Sequence, residues 1–310
     1  MRRVLVTGGG GFIGSHLVEA LVQRGDAVRV LDNFSTGRRE NLAHLGEKIE
    51  IQEGDLRNRE QVEAAVQGVE VIFHEAAFIS VPQSLQEPQT CFAVNVDGTA
   101  RLLEAARRAG VRKVVLASST AVYGDTDSFP LREDTPPKPL SPYALSKQVN
   151  ELYGSLYSRL FDLPVVALRY FNVYGPRQRP DSPYAAAIPV FLRRLLNGEA
   201  LTIFGDGRQT RDFIFVDDVV HANLLAADSD AAGEVFNVCT GQETCLLDVV
   251  AALAQISGRR PEVRHEPPRS GDIYRSAGDP QKAALALGFR ARVPLMEGLR
   301  RTLDWMRKTH

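Results

Sequence analysis

Seven residues near the start of the chain, Gly8 to Gly14, restrict the fold more than any other segment, because five of them are glycine. Before them Arg3-Val4-Leu5-Val6-Thr7 is a short apolar run of the kind that forms a buried strand. After them Ile13 to Gln23 carries a helical repeat of apolar residues. Strand, glycine turn and helix in this order leave the backbone N–H groups of a helix start open to an anion, which is what a phosphate cradle needs. Gly8 permits the tight turn, Gly11 lets a pyrophosphate approach the backbone, and Gly14 allows close packing of helix on sheet. The spacing is G-x-x-G-x-x-G, not G-x-G-x-x-G, and Gly9 and Gly10 blur the register. A second strand, Ala27 to Leu31, ends at Asp32, whose carboxylate can accept hydrogen bonds from an adenosine ribose and would repel a 2′-phosphate. The N-terminus therefore predicts dinucleotide binding with NAD favoured over NADP. Arg38 and Arg39, close behind, read as solvated loop charges.

The second informative segment is Tyr143-Ala144-Leu145-Ser146-Lys147. Ser141 can cap a helix here and Pro142 suits its first turn, so the phenol and the ammonium, four residues apart, project from one face. A free phenol titrates near ~10, and a neighbouring cation favours its phenolate. The pair is a candidate proton-transfer device. Tyrosine and lysine also meet at this spacing on many exposed helices, so the pattern takes its meaning from the dinucleotide signature.

Along the chain, apolar runs alternate with helical patterns. Strands are expected at residues 3–7, 27–32, 69–73, 112–118 and 164–169, with helices near 13–24, 59–67, 88–109 and 142–160. That alternation implies an α/β fold, a doubly wound parallel sheet covered by helices on both faces. The segment 126–142 holds five prolines and reads as a loop. A chain of 310 residues with 44% hydrophobic content is long for one compact domain. The expected division is a dinucleotide-binding domain of residues 1–176 plus about 213–241, and a smaller α/β substrate domain of about 177–212 and 242–310. Trp305, in a last helix from about Leu295 to Met306, reads as a packing residue. A formal net charge of -1 offers no field for nucleic acid or an acidic membrane surface. No apolar run reaches membrane-spanning length and the chain starts directly into a strand. Cys91, Cys239 and Cys245 are odd in number and lack metal-ligand spacing, so they read as buried reduced thiols, no metal is expected, and a cytoplasmic location follows.

The motifs taken together resemble the extended short-chain dehydrogenase/reductase family, and within it the NAD-dependent epimerases and dehydratases that act on nucleotide sugars. They are Thr7 to Gly14, Gly54-Asp55-Leu56, His74-Glu75-Ala76-Ala77, Asn95-Val96-Asp97-Gly98-Thr99, Ser118 to Gly124, Tyr143 with Lys147, Arg169-Tyr170-Phe171-Asn172-Val173-Tyr174-Gly175-Pro176, Arg211-Asp212 and Arg269-Ser270-Gly271-Asp272. The resemblance covers almost the whole chain. It implies a 4-epimerase in which Tyr143, as phenolate beside Lys147, takes the proton of the sugar 4-hydroxyl while the C4 hydride passes to tightly bound NAD. The 4-keto sugar then turns and the hydride returns to its other face. Ser119 occupies the family's serine/threonine position on the C4 oxygen, with Thr120 its nearest competitor.

Further site residues follow from the same resemblance. Gly8, Gly11, Phe12, Ile13, Gly14, Asp32, Asn33, Asp55, Leu56, Ala76 and Asn95 would line the cofactor with Tyr143 and Lys147. Asn172, Arg211 and Arg269 would bind the nucleotide diphosphate, Asp272 its ribose, and Ser80, Ser119, Thr120 and Tyr143 the sugar. Planar guanidinium forks suit phosphate oxygens. Ser276 falls, by a gap-free count from Arg269, where these enzymes carry the residue lining the sugar 2-substituent, and a small side chain leaves room for an N-acetyl group. UDP-N-acetylglucosamine is thus the expected substrate, with UDP-glucose and UDP-galactose possible. UDP-glucose 4-epimerase proper, UDP-glucuronate epimerase and 4,6-dehydratase are the alternatives, and a non-catalytic dinucleotide sensor is the alternative of another class. Dehydratases commonly carry an Asp-Glu pair before Val-Tyr-Gly, where this chain has Thr120-Ala121. By analogy the helices near 90–109 and 142–160 would pair in a homodimer.

Overall fold

The computed structural model describes residues 1–181, 185–268 and 273–309. Six strands, β1 (Arg3–Thr7), β2 (Ala27–Asp32), β3 (Ile49–Glu53), β4 (Val71–His74), β5 (Lys113–Ser119) and β6 (Val165–Tyr170), appear in chain order before any other strand. Short pairs follow: β7 (Asn172–Tyr174), β8 (Leu201–Phe204), β9 (Thr210–Arg211) and β10 (Phe213–Phe215), then β11 (Glu234–Val238), β12 (Thr244–Cys245) and β13 (Val263–Glu266). Seven of these strands form one parallel sheet in the order β11-β6-β5-β4-β1-β2-β3. Parallel neighbours need crossovers, and helices supply them. The doubly wound α/β expectation holds.

The helices are α1 (Phe12–Gln23), α2 (Arg59–Val66), α3 (Val81–Gln86), α4 (Pro88–Phe92), α5 (Gly98–Arg108), α6 (Pro142–Phe161), α7 (Ala187–Asn197), α8 (Val216–Asp228), α9 (Leu246–Ser257), α10 (Gln281–Leu287) and α11 (Leu295–Thr309). The Ser141 hydroxyl accepts a hydrogen bond from the Ala144 N–H at 3.1 Å and so caps α6, which ends at Asp162 in the left-handed region. Val4, Leu5 and Val6 of β1 are fully buried between two apolar clusters, one on each face of the sheet. A third cluster joins α7, α9 and α11 to β8, and the partly buried Trp305 packs against it. Among the described residues no helix is long and apolar enough to cross a membrane.

Two expectations need correction. The strand β3 was not anticipated, because Ile49-Glu50-Ile51-Gln52-Glu53 is an edge strand with only one neighbour, and its charged, half-exposed residues carry no apolar run. The helix expected over 88–109 is interrupted: between α4 and α5, residues Ala93–Asp97 form a π-turn. The extra residue in that turn rotates Asn95 toward α6, where its amide reaches Ser146.

Candidate active site

The carboxyl ends of β1, β2, β4, β5 and β6 lie along one edge of the sheet, and the turns that leave them carry most of the candidate residues. Gly8 has φ +71°, and a Cβ placed on it would lie 2.6 Å from the Ala76 nitrogen. A Cβ on Gly14 would overlap the Gly8 carbonyl oxygen. A Cβ on Gly11 would meet only that carbonyl oxygen, at 3.1 Å, so this position opens outward. Gly11 opens α1 without a side-chain cap, which leaves the first-turn N–H groups of Phe12 and Ile13 to an external acceptor. At the end of β2 each Asp32 oxygen accepts one backbone N–H, from Gly10 at 2.8 Å and Phe34 at 2.7 Å. Each oxygen keeps a lone pair for a hydroxyl donor.

Behind Asp32 the two arginines are already paired. Arg38 meets Asp181 at 3.2 Å, and Arg39 binds Glu53 while lying 4.2 Å over the Phe34 ring. They are bound loop charges, and their partners lower their availability to a 2′-phosphate. The residues present therefore fit NAD. Asn33 donates to Asp55 at 2.8 Å, and Arg57 beside it holds the Asp55 carboxyl well below the ordinary carboxylate range. Leu56 is buried under Gly98. The Asn95 amide is engaged inside the protein, accepting from Phe78 N at 2.7 Å and donating to Phe78 O and Ser146 Oγ. His74 bridges Thr7 and Thr99 at 2.7 and 2.9 Å, and burial pushes it down to about 3, so it is a neutral strut.

Tyr143, Ser119 and Lys147 meet at the end of β5. The Ser119 hydroxyl lies beside the Tyr143 phenol, favouring its charged form, and accepts from the Ala121 N–H at 3.2 Å. Lys147, 4% exposed, donates to the Ala117 carbonyl at 2.8 Å, with its nitrogen 5.8 Å from the Tyr143 ring centroid. Burial lowers the Lys147 ammonium to about 8, opposed by the neighbouring Glu75. Burial also raises the Tyr143 phenol, against the pull of Ser119. In the protein alone burial disfavours the anion, and the ammonium is bound to a carbonyl, not to the phenol oxygen. Thr120 opens a short 3₁₀ turn next to Ser119.

Two residues of this site were missed by sequence reasoning. Ser84 accepts the Tyr143 backbone N–H at 3.2 Å, whereas Ser80 caps α3 by accepting from Gln83. The signal lay in the same Ser80–Ser84 stretch, but a serine contacting a backbone has no sequence mark. Glu75, inside the His74–Ala77 motif, receives the Tyr170 hydroxyl at 2.7 Å, and burial raises its carboxyl to about 7.

On the substrate side, Asn172 donates its N–H to the Asp212 carbonyl at 3.0 Å, so it lies beside Arg211. Arg211 donates to the Thr210 carbonyl at 2.8 Å and reaches the Tyr274 carbonyl at 3.5 Å. The buried Asp212 carboxylate accepts from Thr240, Gly241 and Gly278 and ties these strand ends to the segment holding Ser276. Ser276 is 7% exposed. Arg269 and Asp272 lie outside the described residues. Cys91 and Cys239 are buried as expected, but Cys245 is partly exposed and caps α9, its sulfur accepting from Asp248 N at 3.4 Å.

Residues 4–239 match the model of the NAD dependent epimerase/dehydratase family. A UDP-glucose 4-epimerase of Mycolicibacterium smegmatis is 44% identical over 98% of this chain and 98% of that relative. Among solved structures, a UDP-N-acetylglucosamine 4-epimerase of Methanobrevibacter ruminantium in complex with UDP-N-acetylmuramic acid superposes with a TM-score of 0.96 at 38% identity, covering 100% of this chain and 99% of the other. A Thermus thermophilus UDP-glucose 4-epimerase complexed with NAD gives a TM-score of 0.91 at 42% identity, covering 99% and 100%.

Proposed function

Because the chain belongs to the NAD-dependent epimerase/dehydratase family, we propose that it is a nucleotide-sugar 4-epimerase whose first substrate is UDP-N-acetylglucosamine. The observation that carries this reading is the meeting of Tyr143, Ser119 and Lys147 at the end of β5, with no carboxyl group at Thr120 or Ala121 to drive an elimination. Gly8, Gly11 and Gly14, with the N–H groups of Phe12 and Ile13, would hold the pyrophosphate of NAD and Asp32 its adenosine ribose. Asn33, Asp55, Leu56 and Ala76 complete the cofactor wall, and Asn95 supports it from behind through the Phe78 backbone and Ser146. When bound, NAD supplies a reversible hydride acceptor and a positive charge beside the phenol.

Tyr143 takes the proton from the sugar 4-hydroxyl and returns it to the same oxygen after the 4-keto sugar has turned its other face. Ser119 orients that oxygen, and Lys147 keeps a cation behind the phenol. General acid–base work of this kind contributes about 10²- to 10⁴-fold. Asn172, Arg211 and Arg269 bind the diphosphate, Asp272 the ribose, and Ser80 and Thr120 flank the sugar. The small Ser276 supports the acetylated substrate, and so does the relative that carries an N-acetylated UDP-sugar. UDP-glucose is the second substrate, supported by the 44% identical relative. A substrate domain of about 177–212 and 242–310 is supported by the third apolar cluster, which it shares with Tyr174, Phe215 and Val216 of the larger domain. A homodimer is supported by the exposed leucines at 145, 152 and 160 along one side of α6, with exposed Phe92 on the neighbouring α4. Supplying the purified protein with UDP-N-acetylglucosamine and no added NAD tests the reading. The 4-epimer is the expected product, and no epimer from either the acetylated or the plain sugar overturns it.

A further inference from the structure

The loop that leaves the Ser119 turn runs on to α6, and on the way it is joined by its backbone to the segment that holds Ser276. Leu131 donates its N–H to the Ala277 carbonyl at 2.8 Å, and its own carbonyl accepts from Asp279 N at 2.8 Å. These two bonds flank Gly278, which faces Leu131 in an isolated parallel bridge. Phe171 and Cys239 leave no room for a Cβ on Gly278, so the segment is held by close packing as well.

The Leu131 side of this joint is set by one buried side chain. Asn237 of β11 is fully buried; its amide nitrogen donates to the Leu131 carbonyl at 2.9 Å, and its amide oxygen accepts the Tyr123 hydroxyl at 2.6 Å. Tyr123 ends the 3₁₀ turn that Ser119 caps. The Asn237 backbone N–H donates to Glu133 of the same loop, at 2.7 Å. A carbonyl can only accept, so the amide nitrogen must face Leu131 and the amide oxygen must face Tyr123. A carboxylate would bring no donor for Leu131, and an aliphatic side chain would serve neither partner. Asn237 thus stands between the turn of the serine placed on the sugar C4 oxygen and, through Leu131, the backbone next to Ser276. Hydrogen bonds in a dry interior are costly to leave unmade, so they fix the spacing of the two segments.

We propose that Asn237 is a positioning residue for sugar selection: by tying the Leu131 backbone to the Ser119 turn it holds the Ser276 segment at a fixed distance from the reacting C4 oxygen, and so limits the 2-substituent that fits. The proposal rests on the reading of Ser276 as the residue that lines that substituent. Being fully buried, Asn237 acts through the backbone of its partners and not by contact with the sugar.

The test is a double-mutant cycle read on the ratio of kcat/KM for UDP-N-acetylglucosamine to that for UDP-glucose, measured on the NAD-loaded enzyme. Ser276→Tyr lowers this ratio when Ser276 lines the pocket. With the tie removed by Asn237→Ala the segment can retreat from the added ring, so the drop caused by Ser276→Tyr should shrink by about threefold or more. A side chain that only supports the fold would lower both sugars together and leave the drop unchanged, and that additive result overturns the proposal. If Asn237→Ala does not fold, Tyr123→Phe serves instead: it frees the Asn237 amide at its other end and should relieve the drop in the same direction, and an unchanged drop there overturns the proposal equally. The two readings fail differently. Ser276→Tyr that leaves the ratio unchanged by itself rejects the place of Ser276 in the pocket and the role of Asn237 with it, whereas a lowered ratio that Asn237→Ala does not relieve rejects Asn237 alone.

Discussion

At the scale of single residues, burial penalises the charged forms of Tyr143, Lys147 and Glu75. Tyr143→Phe should leave the fold and NAD binding intact and lower turnover by about 10²-fold or more, the usual weight of a general acid–base group. Wild-type turnover in a folded variant would remove Tyr143 from the chemistry. Lys147 carries a folded-state value of about 8 against an ordinary 10.5, so it destabilises the folded protein fully below pH 8 and progressively less up to about 10.5. Lys147→Met should therefore raise the stability of the cofactor-free protein at neutral pH, on the order of 1–3 kcal/mol, while abolishing turnover. The stability difference should shrink between pH 8 and 10.5, and a pH series of urea midpoints measures it. Ser276 stands on a braced segment: next to it Arg275 lies 4.4 Å over Phe129 and pairs with Glu243. A tyrosine there has little freedom to swing away, and overfilling a packed site costs about 1–3 kcal/mol. Ser276→Tyr should cut kcat/KM for UDP-N-acetylglucosamine by roughly 5- to 150-fold and that for UDP-glucose much less. An unchanged ratio of the two in a folded protein would take Ser276 out of the sugar pocket.

At the scale of elements, α6 has to hold Tyr143 and Lys147 against β5 while the cleft beside them opens to ligands. It is pinned one turn beyond Lys147, where the buried Glu151 carboxylate binds Arg169 of β6 through two bonds of 2.8 and 2.7 Å and receives the Ser118 hydroxyl at 2.5 Å. Arg169 lies 4.6 Å over the Tyr123 ring. Breaking one side of a buried pair leaves an uncompensated charge, so Glu151→Ala should cost about 3–5 kcal/mol. Replacing both partners by leucine should cost less than the single change, and denaturant midpoints of the three proteins settle the order. The π-turn before α5 does a related job. It places Asn95 between the Phe78 backbone and Ser146, which joins the loop after β4 to α6.

At the scale of the whole molecule, the leucines exposed along α6 form an apolar stripe on the outside of the helix that carries the site. If that stripe is the dimer contact, Leu152→Glu should give a monomer by light scattering while the wild type runs as a dimer. A wild-type monomer would remove the homodimer. Much of the fold was legible in the chain. Strand, glycine turn and helix from Arg3 to Gln23 can be read because their local geometry allows few side chains, and the Tyr143/Lys147 spacing can be read because a helix repeats every 3.6 residues. The edge strand β3 was not legible, since half-exposed charged residues leave no apolar period. Neither were Ser84 and Glu75, whose significance comes from partners 59 and 95 positions away in the chain. The sequence by itself determined the parallel α/β architecture and singled out the candidate cofactor cradle and the proposed proton-handling residues, because each is encoded within a few neighbouring positions. Only the tertiary structure decided how those residues are charged: burial raises the Tyr143 phenol, lowers the Lys147 ammonium and brings Glu75 to about 7, and burial arises from segments that meet only when the chain is folded.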